Sequence, residues 1–375
     1  MRDIKKEIIE KIGIKKIIIG ITTFVIIMII FFGGALIYNK FFYKKTYGEI
    51  ETIMATAAKK YYNENKERLP QNEGEKQTIE ASKLAAKKYM KTIEEYLKDD
   101  SKKCTGTVNV TKINNNYKYS SFLDCGKDYK VKKLTEYIKE NEKIVTTDKG
   151  LYELNNEFVY RGENINNNIY FANHNWKIVK IFDDKTLIIL DDTLKNDTSS
   201  FWDNRYNEER KAKVGINNYE LSRAREYLNT LYKGTTFFTE EDKLLISSYN
   251  LNIGRRALND PDKTGAPEKA NVIENQYIGL LPVYDYLNAS LDSNCKSVNT
   301  ESCNNYNYLA TYEISWWLMT GNSENTYEVY KAEATTSLYN ARANSNAHFK
   351  PVIALTDDTI YVSGNGSKDN PYKIK

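Results

Sequence analysis

The sequence predicts an α+β protein: a single transmembrane helix leads into a small helix-and-sheet module, and a larger mixed α+β domain follows. Three observations predict this. Residues 17–38 form an apolar run with no charged side chain, apolar residues then recur at helical spacing from Tyr47 to Tyr61, and beyond residue 150 short strand-like runs are separated by turn residues. A chain of 375 residues has room for two ordinary domains and an anchor, at roughly 100–200 residues per domain.

The run 17–38 is rich in Ile, Phe, Val and Met. As a helix it would span about 33 Å, enough to cross a hydrocarbon core of about 30 Å. Arg2, Lys5, Lys6, Lys11, Lys15 and Lys16 precede it, and Lys40, Lys44 and Lys45 follow. This imbalance predicts a cytoplasmic segment 1–16 and an external carboxyl terminus. A cleaved signal peptide is the alternative, helped by Gly33, Gly34 and Ala35, but the run exceeds the ~7–15 apolar residues usual in such peptides.

Lys plus Arg total 54 against 50 for Asp plus Glu, and residues 1–45 hold nine of the bases and three of the acids. The remainder is close to neutral, which argues against a nucleic-acid partner. His174 and His348 are the only histidines and have no ligand spacing, so no metal or other cofactor is expected. Outside the cell the four cysteines are expected to pair. Cys104 and Cys125 flank two strand-like runs around an Asn114-Asn115-Asn116 turn, and Cys295 and Cys303 enclose a polar loop. Four cysteines allow three connectivities, of which local geometry favours Cys104 with Cys125 and Cys295 with Cys303.

Within 39–130, Tyr47, Ile50, Met54, Ala57 or Ala58, and Tyr61 predict a helix that continues the transmembrane helix as one rod. Ala85, Tyr89, Ile93 and Tyr96 or Leu97 suggest a second helix, read as core packing, before the cysteine-bounded hairpin. The sequences A-A-K-K-Y-Y at 57–62, L-P at 69–70 and C-T-G-T-V-N-V at 104–110 resemble the pseudopilin-like surface proteins of low-GC Gram-positive bacteria over residues 17–130. The resemblance implies a pilin-like stalk. No G-F-T-L-x-E processing motif precedes the apolar run, since G-I-T-T-F-V at 20–25 lacks the glutamate, so a retained anchor is expected rather than polymerisation.

Residues 131–165 read as a connector, Lys-rich and helical at first and then strand-like at 151–154 and 158–160. In the domain 166–375, residues 169–182, a turn at 183–185 and residues 186–190 predict a hairpin. Leu221, Ala224, Leu228 and Leu231 predict a helix ending at Gly234; Thr239 and Pro282 mark the starts of two short ones.

Seven segments of this region recur in one family order: N-W-K-I-V at 175–179, W-D-N-R-Y at 202–206, S-R-A-R-E-Y-L-N at 222–229, I-G-L-L-P-V-Y-D-Y at 278–286, S-W-W-L at 315–318, K-P-V-I-A-L at 350–355 and G-N-G-S-K-D-N-P-Y at 364–372. Over residues 150–375 they resemble an uncharacterised bacterial surface-domain family similar to the C-type-lectin-like fold of formylglycine-generating-enzyme-like proteins. Relatives commonly carry Cys where Asn252 stands, so the resemblance implies a further bridge that this chain lacks. It implies architecture and no activity.

No catalytic constellation is recognised. S-x-x-K at 293–296 and K-T-G at 263–265 match penicillin-recognising motifs in reversed chain order, with a cysteine inside the first. Formylglycine-generating chemistry is not expected from a domain whose two cysteines pair with each other. The acid pairs Asp183-Asp184, Asp191-Asp192 and Asp357-Asp358 lie beside strands and read as turns rather than calcium ligands. The ligand-binding candidates are Tyr306, Tyr308, Trp316, Trp317, Tyr327 and Tyr330, aromatic area set among Asn, Ser and Thr. For any one of them core packing is the plainer reading, and of Trp316 and Trp317 at most one is expected in the core if the strand has an open face. The expectation is a membrane-anchored extracellular binding or adhesion protein for a glycan or surface protein; the alternative is a structural subunit of a pilus-like or secretion apparatus.

Overall fold

The computed structural model describes residues 23–24, 27–28, 44–192, 194, 200–298, 300–310, 314–333 and 338–375. The expected transmembrane run 17–38 lies outside the described residues except for Thr23, Phe24, Ile27 and Met28, which are helical. Among the described residues no helix is long and apolar enough to cross a membrane.

The first long helix, α1 (Tyr47–Glu64), buries Ile50, Met54, Ala58 and Tyr61, the stripe its spacing predicts. It does not continue an earlier helix unbroken, because Lys44, Lys45 and Thr46 are not helical. The Thr46 hydroxyl accepts from Glu49 N at 3.3 Å while Glu49 Oε2 accepts from Thr46 N at 2.8 Å, a reciprocal cap that starts α1 afresh. After β1 (Lys76–Glu80), the expected second helix is two short ones, α2 (Ala81–Ala86) and α3 (Ile93–Leu97). Lys88 at φ 64° breaks them apart, and Thr92 Oγ1 caps the second by accepting from Glu95 N. The hairpin β2 (Thr105–Ile113) and β3 (Asn116–Asp124) turns at Asn114 and Asn115, both at positive φ, and joins β1 in a three-stranded sheet. The Cys104–Cys125 disulfide closes its base.

The chain divides into two compact units. One contains Ile79–Thr107, Leu123–Lys130 and the described residues of Met1–Tyr61; the other contains Tyr62–Thr78, Val108–Phe122 and Val131–Lys375. The expected connector 131–165 is therefore part of the larger unit. Its helix α4 (Leu134–Asn141) buries Leu134 and Ile138, and its strands β4 (Gly150–Leu154) and β5 (Glu157–Arg161) pair around an Asn155-Asn156 turn.

The larger unit is built on a nine-stranded sheet. The predicted strand 169–182 is instead a hairpin, β6 (Asn168–Phe171) and β7 (His174–Phe182), because Ala172 and Asn173 adopt positive φ and reverse the chain. Asp183 and Asp184 form the next turn, as expected, and lead into β8 (Lys185–Leu190). Then follow β9 (Ser200–Phe201), α5 (Arg223–Lys233), α6 (Glu240–Lys243), β10 (Ile246–Ser247), β11 (Tyr249–Asn252), α7 (Ala266–Lys269), β12 (Val272–Gln276) and α8 (Val283–Ala289). The predicted Thr239 cap is present, its Oγ1 accepting from Asp242 N, and α5 starts two residues after Leu221 on a cap that the apolar spacing did not reveal, Ser222 Oγ accepting from Arg225 N.

The chain finishes with β13 (Trp316–Gly321), β14 (Glu328–Ala332), β15 (Leu338–Arg342), β16 (Asn346–Ala347), β17 (Val352–Leu355), β18 (Tyr361–Ser363) and β19 (Tyr372–Ile374). The main sheet runs β10-β17-β8-β7-β6-β19-β18, with β5 also on β7 and β4 on β5. Its pairs are antiparallel except β19 on β6, which is parallel. Val352 to Leu355 are all buried, which accounts for a continuous apolar run where a half-exposed strand would alternate. A second sheet, β13-β14-β15, carries Trp316 and Trp317.

Candidate functional site

The aromatic candidates separate by burial. Trp316, Trp317 and Tyr330 have no exposed surface, so none can offer a ring to a ligand while the core is intact. The expected split of the two tryptophans fails because all six residues of β13 are buried, covered on both faces. Trp317 Nε1 donates to Ser200 O at 2.9 Å, and the Tyr330 hydroxyl donates to Arg256 O at 2.9 Å. Tyr327 is half-buried beneath the Arg210 guanidinium, 5.1 Å from the ring centroid. Tyr306 is exposed, and Tyr308 is buried in the wall of a polar pocket.

That pocket, of about 400 Å³, is lined by residues 163–168 together with Lys177, Asn307, Tyr308, Ala310 and Lys368. It lies wholly in the larger unit and begins where β5 ends. Gly162, at φ 103°, turns the chain sharply, and a Cβ there would lie 2.5 Å from Lys149 Cβ. Gly162 N donates to Ala289 O and Tyr308 N donates to Gly162 O, both at 2.9 Å, so the backbone fixes both walls. The Cys295–Cys303 disulfide closes the loop that precedes Asn307. Asn307 is held there, donating through Nδ2 to Cys303 O at 2.8 Å and accepting at Oδ1 from Leu309 N at 3.0 Å.

Two more amides anchor the floor. Asn167 is fully buried and donates through Nδ2 to Ile178 O at 2.9 Å, while its Oδ1 has no partner among the described residues. Asn168 Nδ2 donates to Gly366 O at 2.8 Å, and its Oδ1 accepts from Lys177 Nζ at 3.3 Å. Lys177 also pairs with Asp191 at 3.4 Å. Gly366, at φ 75°, is required because a Cβ there would stand 2.3 Å from Asn166 O. Burial, followed by the nearby Asp285 charge, holds the Tyr308 phenol well above its ordinary range, so it remains protonated.

The rim is different. Glu163, Asn164, Asn166 and Lys368 are exposed, and their side chains make no hydrogen bond or ion pair with the described residues. A rigid amide floor beneath an uncommitted rim of donors and acceptors suits a neutral ligand rich in hydroxyls, and the volume lies within the ~300–1,000 Å³ range of small-molecule sites. Aromatic content pointed to Tyr308 and missed the asparagines. The signal available was E-N-I-N-N-N at 163–168, a polar run too amide-rich for a short linker.

Among the described residues no group of three His, Cys, Asp or Glu side chains converges as metal ligands. Both disulfides join the cysteines expected to pair, across 21 and 8 residues. Comparison with protein-family models, with curated proteins and with solved structures finds no match to this chain.

Proposed function

We propose that this chain is a membrane-anchored extracellular binding or adhesion protein whose larger unit recognises a glycan through the asparagine-lined pocket. The observation that carries the reading is the pairing of a pinned floor (Asn167, Asn168, Asn307) with the rim groups Glu163, Asn164, Asn166 and Lys368, whose side chains have no partner among the described residues. Sugars present alternating donors and acceptors, and amides match both while carrying no charge. The exposed ring of Tyr306, next in sequence to Asn307, adds an apolar surface suited to the face of a pyranose. The anchor rests on the uncharged run 17–38, and the external address on that run's charge flanks and on the two disulfides. The lectin-like and pilin-like resemblances agree with this reading.

The test is a glycan array probed with the detergent-solubilised full chain. Wild type should bind a restricted set of glycans, and N164A/N166A should lose most of that signal with an unchanged melting temperature. Equal binding by the folded double variant would remove the pocket from the reading. Protease added to intact, wall-stripped cells should digest residues beyond about Lys45; survival of the whole chain would overturn the orientation.

A second reading, a structural subunit of a pilus-like or secretion apparatus, is favoured by one observation. The smaller unit has an open groove of about 600 Å³ lined by Ala81, Ala85, Ala86, Ile93 and Gly106, with Glu80 and Glu94 at its margins. Recovery of the chain in sheared filament fractions would select this reading over the first.

A further inference from the structure

Lys180 sits on β7 where the pairing with β8 slips between Ile178 and Lys180, an irregularity of the kind that re-aims a side chain. Its side chain is 5% exposed and that of Asp285 2% exposed. The ammonium has three donors and meets three acceptors: Asp285 Oδ1 at 3.0 Å, Glu157 Oε2 at 3.1 Å and the Tyr284 hydroxyl at 3.1 Å. The rings of Tyr284 and Phe182 stand 4.8 and 5.7 Å from Nζ and exclude water from two sides. Asp285 is held by α8, whose first residue donates from Val283 N to Thr320 Oγ1 at 3.0 Å; Glu157 is held at the start of β5 by the Asn155-Asn156 turn. A cavity of about 60 Å³ touches Glu157, Lys180, Tyr284 and Asp285 and is large enough to hold water.

We propose that Lys180 and Asp285 condense into an intramolecular isopeptide bond, with Glu157 as the proton relay and the small cavity receiving the water released. The amine and the carboxylate share one proton; an ammonium is no nucleophile, so reaction requires that proton to pass to the carboxyl, leaving a free amine beside a neutral acid, a transfer that exclusion of water makes less costly. Burial raises the Asp285 carboxyl to about 6, while, against that same burial, Asp285, Tyr284 and Glu157 hold the Lys180 amine well above its ordinary range. The ion pair therefore predominates, and the uncharged pair is the minor form through which the reaction runs. The Nζ lone pair attacks Cγ. Glu157 takes a proton from the nitrogen and returns it to the departing oxygen. One C–N bond forms, one C–O bond breaks and one water leaves, with no oxidant or co-reactant needed. The contact supplies the proximity that makes such an intramolecular condensation fast relative to the same groups free in solution. The bond would tie β7 to α8 across 105 residues of sequence.

Intact mass of the purified full chain tests this directly. After allowance for the four hydrogens lost to two disulfides, wild type should be lighter than its sequence by one water. Tryptic mapping should find Lys180 uncleaved and joined to the peptide carrying Asp285. E157Q should restore the full mass while both disulfides still form, which separates loss of the reaction from loss of folding. Wild type at full mass with both disulfides formed would overturn the proposal. A water loss that persists in E157Q would remove Glu157 from it.

Discussion

Lys180 and Lys350 are both lysines buried in the larger unit, and the contrast between them shows what a buried ammonium requires. Lys180 meets two carboxylates and a phenol. Burial pushes its amine down, but the attraction of Asp285, Tyr284 and Glu157 outweighs that and holds it well above the ordinary lysine range. Lys350 donates to Asp191 O at 2.7 Å and lies 5.6 Å from the Trp316 ring centroid. Burial there is opposed only partly by Asp191 and Asp192, Lys177 adds repulsion, and the amine falls to about 8. Burial is nearly the same in the two sites; the partners differ. Lys368, exposed on the pocket rim, completes the series with neither burial nor a partner among the described residues.

Replacing the three in turn should grade this contrast. K180M leaves Asp285 and Glu157 without their shared partner and forbids the proposed Lys180–Asp285 bond, and should cost at least about 3–5 kcal/mol in urea unfolding. A loss no larger than that of an exposed lysine would show that the cluster contributes nothing to stability. K350M removes one hydrogen bond to a carbonyl and an expensive charge, and should change stability by no more than about 1 kcal/mol near neutral pH. The pH profile is the sharper readout. The folded-state value near 8 lies below the ordinary 10.5, so between the two the unfolded chain binds more protons and stability rises with pH. Wild type should gain up to about 3 kcal/mol across that window from this group, and K350M should lack this contribution. K368M should move stability by less than about 0.5 kcal/mol while weakening binding on the glycan array, a division expected of a rim group and of neither buried lysine.

Local signals were the legible part of this fold. Thr239 identifies its helix because a cap needs only one side chain and a nearby amide, and Asn114-Asn115 and Asp183-Asp184 identify their turns because few residues tolerate positive φ. Ala172-Asn173 escaped for the same reason in reverse: alanine hides the left-handed position, so two strands read as one. The burial of Trp316 and Trp317 depends on what covers each face of β13, which alternation within the strand does not encode. The asparagine pocket is assembled from residues 163–168, Lys177, Asn307 and Lys368, brought together by sheet topology rather than by spacing. Lys180, Asp285 and Glu157 were individually unremarkable in sequence because their meeting depends on how β5, β7 and α8 pack.

The parallel pairing of β19 with β6 sets an order on biogenesis. Tyr372 and Lys373 pair with Ile169 and Tyr170, and the buried Tyr372 side chain donates to Glu142 Oε1 at 3.0 Å. A ribosome delivers residues 142 and 169 roughly 200 positions before residue 372, at rates of about 5–20 residues per second. For tens of seconds the nascent sheet therefore has an unfilled seam beside β6, with its amides and carbonyls open to strands of other chains. Chaperone cover during that interval, and any carboxyl-terminal fusion that delays the last strand, should govern the yield of folded chain more strongly than substitutions in the early hairpins.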